Sequence, residues 1–280
     1  MYERILRGNS LGLMKFWKNT ATLDHLIPEL LVTVDSSEAE LAVIGSKPIN
    51  LTEMPNLKAI FKCGVGVDNI PFVEAKERGI QVILPSEKTK SYIFEETANF
   101  AVHLILLMLY KDLGSVEDWA KNEREFLGQK KVLVLGLGNI GRQVAIKLNT
   151  MAKVLTFDPL ENTENELKGL FNQADAISLH MPLVENTKAF VNAEKLSWMK
   201  DGAALINTAR GPIVEEQALY NEIKKNRLFA AFDVFWMEPY EGILCEFHPN
   251  RFFMTPHVAS NCSTFLEGLA FDFRSYLALI

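Results

Sequence analysis

Residues 131–158, KVLVLGLGNIGRQVAIKLNTMAKVLTFD, combine four features in a fixed order. A β-rich run precedes the turn Gly136-x-Gly138-x-x-Gly141, a segment with helical spacing follows, and a second β-rich run ends at Asp158. Glycines between a strand and a helix are what a dinucleotide-binding βαβ unit requires. Three glycines alone would favour an ordinary turn, but this order of elements favours a nucleotide site.

Each glycine of the turn has its own physical reason. Gly136 allows the tight turn, Gly138 lets the backbone approach a pyrophosphate, and Gly141 lets the helix pack close to the strand. The backbone N–H groups of Asn139 and Ile140 lie at the start of the helix, where they face the phosphates. We therefore predict that these five residues bind the cofactor.

Asp158 indicates which dinucleotide is bound. It stands at the end of the second strand, about 20 residues beyond the turn, where a carboxylate accepts hydrogen bonds from the ribose hydroxyls. Its charge would repel the additional phosphate of NADP. NAD(H) is therefore the expected cofactor.

Composition limits the class of protein. The 280 residues are 48% hydrophobic and 23% charged, which is typical of a globular chain with two domains. The most apolar stretch, residues 100–110, is interrupted by His103 and predicts a buried helix rather than a membrane span. The net charge of −6 and the lack of a basic stripe disfavour nucleic-acid binding.

The first ten residues give an expectation for cellular location, and the cysteine spacing gives one for disulfides and metal binding. MYERILRGNS is charged and has no extended apolar run, so we expect a cytoplasmic protein without a secretory signal. The three cysteines are scattered and include no C-x-x-C pair, which argues against a disulfide framework and a zinc site. We expect no bound metal.

Further apolar runs extend the α/β pattern to both sides of the glycine turn. Before it, strands alternating with helical stretches predict a parallel sheet, whose first strand is either residues 4–6 or 14–17. Four runs after Asp158, together with the two β-rich runs that flank the glycine turn, give six strands, the number of a complete doubly wound dinucleotide domain. A final helix, 265–280, is expected to pack back toward the N-terminal unit. The other predicted strands are 30–34, 41–44, 57–61, 81–84, 132–135, 154–157, 176–179, 203–207, 229–234 and 252–254, and the other predicted helices are 71–78, 91–112 and 215–224.

Three polar segments follow predicted strands of the nucleotide domain, where open parallel sheets bind their ligands. They are Asn207-Thr-Ala-Arg-Gly211, Asp233-Val-Phe-Trp-Met-Glu-Pro239 and Thr255-Pro-His257. Arg210 offers a guanidinium that can pair with a carboxylate or polarise a carbonyl. Glu238 and His257 offer an acid–base pair. Each residue alone is more often structural, but together they fit the interconversion of an alcohol and a ketone.

These segments, with Cys63-Gly-Val-Gly-Val-Asp-Asn-Ile70 and Leu179-His-Met-Pro-Leu183, give the chain a family resemblance. The sequence resembles the D-isomer-specific 2-hydroxyacid dehydrogenases, which include D-lactate, D-glycerate and D-3-phosphoglycerate dehydrogenases. The resemblance extends from about residue 57 to residue 260.

The resemblance implies roles for individual residues. Arg210 binds and polarises the 2-oxo acid, His257 is the acid/base, and Glu238 orients His257.

It also implies binding roles outside the catalytic trio. The backbone around Val65 and Gly66 is similar to the family's binder of the substrate carboxylate. Asp233 corresponds to the acid that contacts the nicotinamide carboxamide, and Thr208 lies on the cofactor side.

The family fold implies two doubly wound parallel-sheet domains with a cleft between them. A smaller flavodoxin-like substrate domain would comprise residues 1–96 and 264–280, and a Rossmann NAD-binding domain would comprise residues 97–263. Family members are commonly homodimers, and residues 91–112 with the segment after them are the candidate contact.

The chain departs from the family pattern in several places. It is shorter than most members, and Pro85-Ser-Glu-Lys-Thr-Lys-Ser91 lacks the usual glycine and asparagine. We interpret this stretch as a solvated loop; alternatively, Lys88 or Lys90 helps to hold a substrate phosphate.

The leading hypothesis is an NAD-dependent enzyme that reversibly reduces a small 2-oxo acid to a D-2-hydroxy acid. The residues do not distinguish lactate-like from phosphorylated substrates. The alternative is a noncatalytic NAD(H)-binding regulatory protein of the corepressor type, since such relatives keep the same three residues. A formate-dehydrogenase-like enzyme is less favoured, because that branch has Gln where Glu238 stands.

Overall fold

A computed structural model describes residues 14–158 and 163–280. The chain divides into two compact units, one comprising residues up to Ser91 together with Cys262–Ile280, the other Tyr92–Asn261. Both are built from parallel strands and helices, which confirms the predicted α/β class. The strands are β1 (Phe16–Lys18), β2 (Leu41–Ile44), β3 (Ala59–Lys62), β4 (Gln81–Ile83), β5 (Gly114–Ser115), β6 (Ala120–Lys121), β7 (Lys131–Leu135), β8 (Lys153–Phe157), β9 (Ala176–Leu179), β10 (Ala204–Asn207), β11 (Phe229–Phe232) and β12 (Phe252–Met254); the α-helices are α1 (Phe72–Glu77), α2 (Glu87–Leu109), α3 (Asn139–Leu148), α4 (Glu164–Gln173), α5 (Ala193–Trp198), α6 (Glu216–Lys224) and α7 (Ser263–Leu277).

The first unit has a parallel sheet in the order β1-β2-β3-β4. Every residue of β2 and β3 is buried, because both faces of the sheet are covered. Ile60 packs in a cluster with Ala42 and Ile44. The next residue, Phe61, points to the opposite face and meets Phe273 of α7, with ring centroids 4.9 Å apart. The C-terminal helix is therefore part of this unit.

The predicted strand at residues 30–34 is wrong. Residues Pro28–Leu31 form a 3-10 helix, which proline favours at the first position because it fixes φ and needs no N–H partner. Val34 then donates one backbone hydrogen bond to the Phe16 carbonyl at 2.9 Å, so the segment touches the outer edge of β1 without forming a strand. Of the two candidate first strands, 14–17 is close to β1, whereas 4–6 lies outside the described residues.

The second unit has a parallel sheet of the six predicted strands, in the order β12-β11-β10-β9-β7-β8. Alternate residues of β7 face opposite sides: Leu133 and Leu135 belong to one core cluster, Val132 and Val134 to the other. The direction of strand progression reverses between β7 and β9. In open α/β sheets such a reversal marks the ligand crevice at the carboxyl ends of the strands.

Helix α2 begins four residues before the predicted start, so the interpretation of residues 85–91 as a loop is wrong. The Ser86 hydroxyl accepts a hydrogen bond from the Thr89 N–H at 3.3 Å, as an N-cap does, and the Ser86 N–H donates to Asp272 of α7 at 2.9 Å. Lys90 pairs with Glu87 at 2.8 Å within the first turn.

With 23 residues, α2 is long and apolar enough for a membrane span by length and composition, contrary to the estimate from residues 100–110 alone. In the structure, however, Ala98, Ala101, Leu104 and Ile105 are fully buried in a core cluster of the second unit. The packing supports a core helix.

The segment between α2 and β7 contains an antiparallel pair, β5–β6, that the sequence analysis did not predict. Three apolar side chains here are strongly exposed: Val116 at 82%, Trp119 at 80% and Phe126 at 75%.

Candidate functional site

The glycine turn has the geometry that dinucleotide binding requires. Gly136 has φ +93, which favours glycine, and a Cβ there would lie 2.9 Å from the His180 backbone. A Cβ on Gly141 would overlap the Gly136 carbonyl oxygen, so only glycine permits this approach of α3 to β7. A Cβ on Gly138 would meet nothing within 4 Å. The space in front of the α3 N-terminus is therefore open for a phosphate.

Asp158 lies beside this turn. Its Oδ2 accepts a hydrogen bond from the Leu137 N–H at 2.7 Å, which holds the carboxylate at the mouth of the glycine turn. The predicted ribose contact needs an acid in this place.

His180 is a partly buried residue that packs against the glycine turn. The sequence analysis quoted it only as part of a motif. Its Nε2 is 2.8 Å from the Ser178 hydroxyl, and its backbone N–H donates to the Leu135 carbonyl at 2.8 Å. Burial lowers the pKa of His180 to about 3. The ring is therefore neutral at physiological pH and supports the turn by packing rather than by charge.

Asn207 organises the turn that carries Arg210. Its side chain is fully buried; Nδ2 donates to the Arg210 carbonyl at 2.8 Å, and Oδ1 accepts from the Ala209 N–H at 3.0 Å. The Arg210 guanidinium donates to the Ala209 carbonyl at 2.7 Å through Nη1. A Cβ on Gly211 would overlap the Phe235 backbone. This close approach brings the Arg210 turn against the loop that contains Glu238.

Thr208 lies in the same turn and carries a buried hydroxyl without a hydrogen-bond partner among the described residues. A buried polar atom in this state costs free energy, and such atoms normally have a partner. A ligand that supplies one would remove the cost. Together with the open space at Gly138, this atom shows that the residues present fit a dinucleotide.

Glu238 and His257 form a hydrogen-bonded pair, as their predicted roles require. The Glu238 Oε2 is 2.8 Å from the His257 Nδ1, and Oε1 accepts from the Phe235 N–H at 3.2 Å. The carboxylate is therefore held between its own loop and the imidazole. The side chains are about a quarter and a third exposed, respectively, which leaves the pair accessible to a small molecule.

Asp233 is completely buried at the end of β11. Its Oδ1 accepts hydrogen bonds from the Thr255 hydroxyl at 2.6 Å and the Val258 N–H at 2.8 Å, and Oδ2 accepts from the Ala259 N–H at 2.9 Å. Burial raises the pKa of Asp233, although these donors oppose the shift. The predicted carboxamide contact stays a prediction, and the structure adds that Asp233 anchors the loop around His257.

The loop with Val65 and Gly66 follows β3 in the first unit. It is anchored by two residues that the sequence analysis did not single out. Buried Lys62 donates to the Asn69 Oδ1 at 2.9 Å and to the Gly45 carbonyl, and Asn69 donates to the Gly45 carbonyl at 2.9 Å. A lysine at the end of an apolar strand, followed seven residues later by asparagine, was the available signal.

Comparison with known proteins identifies the relatives of the chain. Residues 106–259 match the model of the D-isomer specific 2-hydroxyacid dehydrogenase NAD binding domain. The chain is 36% identical to a hydroxypyruvate reductase of Thermotoga maritima over 196 residues, which are 66% of this chain and 64% of that protein. It is 30% identical to a glycerate dehydrogenase of Methylorubrum extorquens over 266 residues, 88% of this chain and 82% of that protein.

A solved structure is similar throughout most of the chain. The D-lactate dehydrogenase of Aquifex aeolicus, complexed with NAD and lactic acid, superposes with a TM-score of 0.73 at 28% identity. The match covers 86% of this chain and 83% of that one.

Proposed function

We propose, because the chain belongs to the D-isomer specific 2-hydroxyacid dehydrogenase family of NAD-dependent enzymes, that it interconverts a D-2-hydroxy acid and the corresponding 2-oxo acid. Membership in the family confirms the resemblance predicted from the motifs. The observation that carries the proposed reaction is the 2.8 Å pair of Glu238 and His257, whose loop is fixed to the end of β11. Bound NAD(H) supplies or accepts the hydride.

His257 is the proposed proton donor and acceptor. Because its Nδ1 faces the Glu238 carboxylate, Nε2 is the nitrogen that exchanges a proton with the substrate oxygen. Glu238 holds the ring in one orientation and stabilises the imidazolium, which gives up its proton as the alkoxide develops during reduction. In the oxidative direction the neutral ring takes the hydroxyl proton.

Arg210 is the proposed binder of the substrate. Its planar guanidinium can pair with a carboxylate through two parallel hydrogen bonds and can polarise the neighbouring carbonyl. The buried Asn207 amide fixes the backbone on which the guanidinium is carried. The backbone of Val65 and Gly66 is the proposed second contact of the carboxylate.

A panel of 2-oxo acids with NADH tests the reaction. We expect turnover of at least one member, and a loss of about 100-fold or more in kcat for His257→Ala, since general acid catalysis contributes about 10²–10⁴-fold. Arg210→Lys is expected to lose activity as well, because a point charge does not reproduce the guanidinium fork. His103→Ala, at an exposed histidine of α2, is the matched control and should keep the wild-type rate.

The same panel separates the two classes of function. Tight NADH binding without turnover of any 2-oxo acid would contradict the enzyme and favour the noncatalytic NAD(H)-binding regulator. Full activity of Arg210→Lys would contradict the proposed clamp alone.

The substrate is proposed to be a short, unphosphorylated acid. The relatives named hydroxypyruvate reductase and glycerate dehydrogenase point to hydroxypyruvate and glycerate as the first pair to assay. Lys90, one candidate for holding a phosphate, is already paired with Glu87 inside α2. A preference for phosphohydroxypyruvate over hydroxypyruvate would overturn this choice.

We also propose a cytoplasmic homodimer. Exposed apolar residues are unfavourable in water, and Val116, Trp119 and Phe126 cluster in sequence within the segment already considered for subunit contact.

A further inference from the structure

His257 has an unusual backbone conformation. Its φ is +53, in the left-handed region, which is unfavourable for a residue with a Cβ. Such a conformation persists only where the surrounding structure enforces it, and such residues concentrate at functional sites. The contacts that enforce it therefore determine where the imidazole lies.

Those contacts converge on one buried carboxylate. Asp233 accepts hydrogen bonds from the hydroxyl of Thr255, two residues before His257, and from the N–H groups of Val258 and Ala259, immediately after it. The His257 N–H itself donates to the Thr255 carbonyl at 3.0 Å. The segment is thus fixed on both sides of the histidine.

Thr255 is the only one of the three donors that uses a side chain. The other two donors are backbone N–H groups, which every residue except proline supplies at those positions. The hydroxyl contact is also the shortest, at 2.6 Å. Of the three hydrogen bonds to Asp233, the one before His257 is therefore the one that depends on the identity of a residue, Thr255.

We propose that Thr255 is a positioning residue: its hydroxyl, by bonding Asp233, holds the left-handed turn that aims the His257 imidazole at Glu238 and at the substrate. The proposal rests on the proposed function for its kinetic consequence, but the geometry of the imidazole is measurable without turnover.

Removal of the hydroxyl should loosen the turn rather than unfold the domain. Thr255→Val keeps the shape of the side chain and leaves Asp233 with the two backbone donors. A completely buried carboxylate depends on its donors to remain charged, since burial already raises the pKa of Asp233. With one donor fewer, the carboxylate is a weaker and less fixed acceptor for Val258 and Ala259.

The kinetic experiment compares Thr255→Val with Thr255→Ser. We expect Thr255→Val to lower kcat about 10- to 30-fold, as expected for a lost hydrogen bond to a charged group. The KM for the 2-oxo acid and the NADH dissociation constant, measured by fluorescence, should stay within about threefold of wild type. Thr255→Ser, which retains the hydroxyl, should recover kcat to within about threefold. Thr150→Val, in the exposed turn after α3, is the control.

The geometric experiment uses ¹⁵N-histidine labelling. The Nδ1 resonance of His257 reports its hydrogen bond to Glu238, and Glu238→Gln gives the reference for a disrupted pair. We expect Thr255→Val to shift this resonance in the direction of Glu238→Gln and Thr255→Ser to leave it near wild type.

The outcomes separate the two proposals. A wild-type kcat and an unchanged Nδ1 resonance in Thr255→Val would overturn the positioning role, and so would failure of Thr255→Ser to recover them. A loss of NADH affinity as large as the loss of kcat would assign Thr255 to the cofactor site instead. Absence of turnover in the wild type, with the resonance shift still present, would overturn the enzyme and leave the positioning role standing.

Discussion

Replacing the second and third glycines of the turn one at a time should separate cofactor binding from folding. In Gly138→Ala the new methyl group meets no protein atom within 4 Å, and the φ of −69 at this position suits alanine. In Gly141→Ala the methyl group overlaps the Gly136 carbonyl oxygen and lies 3.0 Å from its carbonyl carbon. These two atoms belong to the backbone of the β7–α3 turn, which does not rotate away as a side chain does; the third neighbour is the Cβ of His180, at 3.2 Å.

The structure gives the expected magnitudes. For Gly141→Ala, forcing the turn apart should cost about 2–3 kcal/mol, within the range for overpacking of a tight site. At about 2–4 °C per kcal/mol for a domain of this size, Tm should fall by about 4–12 °C. Gly138→Ala changes only the N-cap of α3, so its stability should stay within about 1 kcal/mol. Its methyl group nevertheless occupies the space where a phosphate approaches, and NADH should bind at least about tenfold more weakly.

Thermal unfolding without ligand and NADH fluorescence titration test this pair of variants. Gly169→Ala is the control, since Gly169 is exposed in the middle of α4 and a Cβ there meets nothing within 4 Å. That change should raise Tm by about 2–4 °C through helix propensity and leave NADH binding unchanged. Wild-type NADH affinity in Gly138→Ala, or a wild-type Tm in Gly141→Ala, would refute the reasoning.

Three further predictions concern pH, cofactor choice and assembly. In the unfolded chain His180 takes up a proton below about pH 6.5, whereas in the folded protein its pKa is lowered to about 3. Between these values the free energy of unfolding of the wild type should fall by up to about 1.4 kcal/mol more per pH unit than that of His180→Asn. If urea denaturation from pH 7 to 5 shows the same loss of stability in both proteins, the low pKa of His180 is contradicted. Asp158→Asn keeps an oxygen to accept from Leu137 but removes the charge, so the ratio of NADPH to NADH activity should rise about tenfold or more, and an unchanged ratio would remove the role of Asp158 in cofactor choice. Trp119→Glu should shift the proposed dimer toward monomer in sedimentation experiments, and a dimer that persists in the variant would exclude this segment from the interface.

The sequence predicted most reliably where local pattern and tertiary packing agree. Strand β9 and strand β12 begin and end at the predicted residues, and β2 does so in the first unit. All three are short runs of mainly apolar residues, and a run of this kind has few alternatives to a strand in a parallel sheet. The glycine turn was predictable for the same reason, since its spacing encodes both backbone geometry and close packing.

Predictions failed where one residue outweighed the apolar pattern. Leu30 to Val34 has the composition of a strand, but Pro28 starts a 3-10 helix just before it. The start of α2 was placed too late because Lys88 and Lys90 suggested a loop, whereas Ser86 caps the helix. Side-chain caps of this kind depend on positions of single atoms, which composition does not report.

The residues that support the candidate site were harder to predict from the sequence than the residues proposed to carry its chemistry. Asn207 and Thr255 were quoted within motifs, yet their hydrogen bonds join segments that are separate in sequence or reach around a turn. Lys62 stood directly before a quoted motif and was passed over, because a lysine is rarely buried. Nothing in a one-dimensional pattern indicates which polar residues will lose contact with water.

Asn207 and Asp233 have a consequence for anyone who would redesign this protein. The Asp233 N–H donates to the Asn207 carbonyl at 2.9 Å, so one hydrogen bond between neighbouring strands joins the residue that organises the Arg210 turn to the residue that anchors the loop around His257. If β11 shifted along β10, the turn that carries Arg210 and the loop that carries His257 would move relative to each other. Broadening the range of acids accepted should therefore begin with mutations in the surrounding loops, because the distance between the two turns is built into the hydrogen-bond ladder.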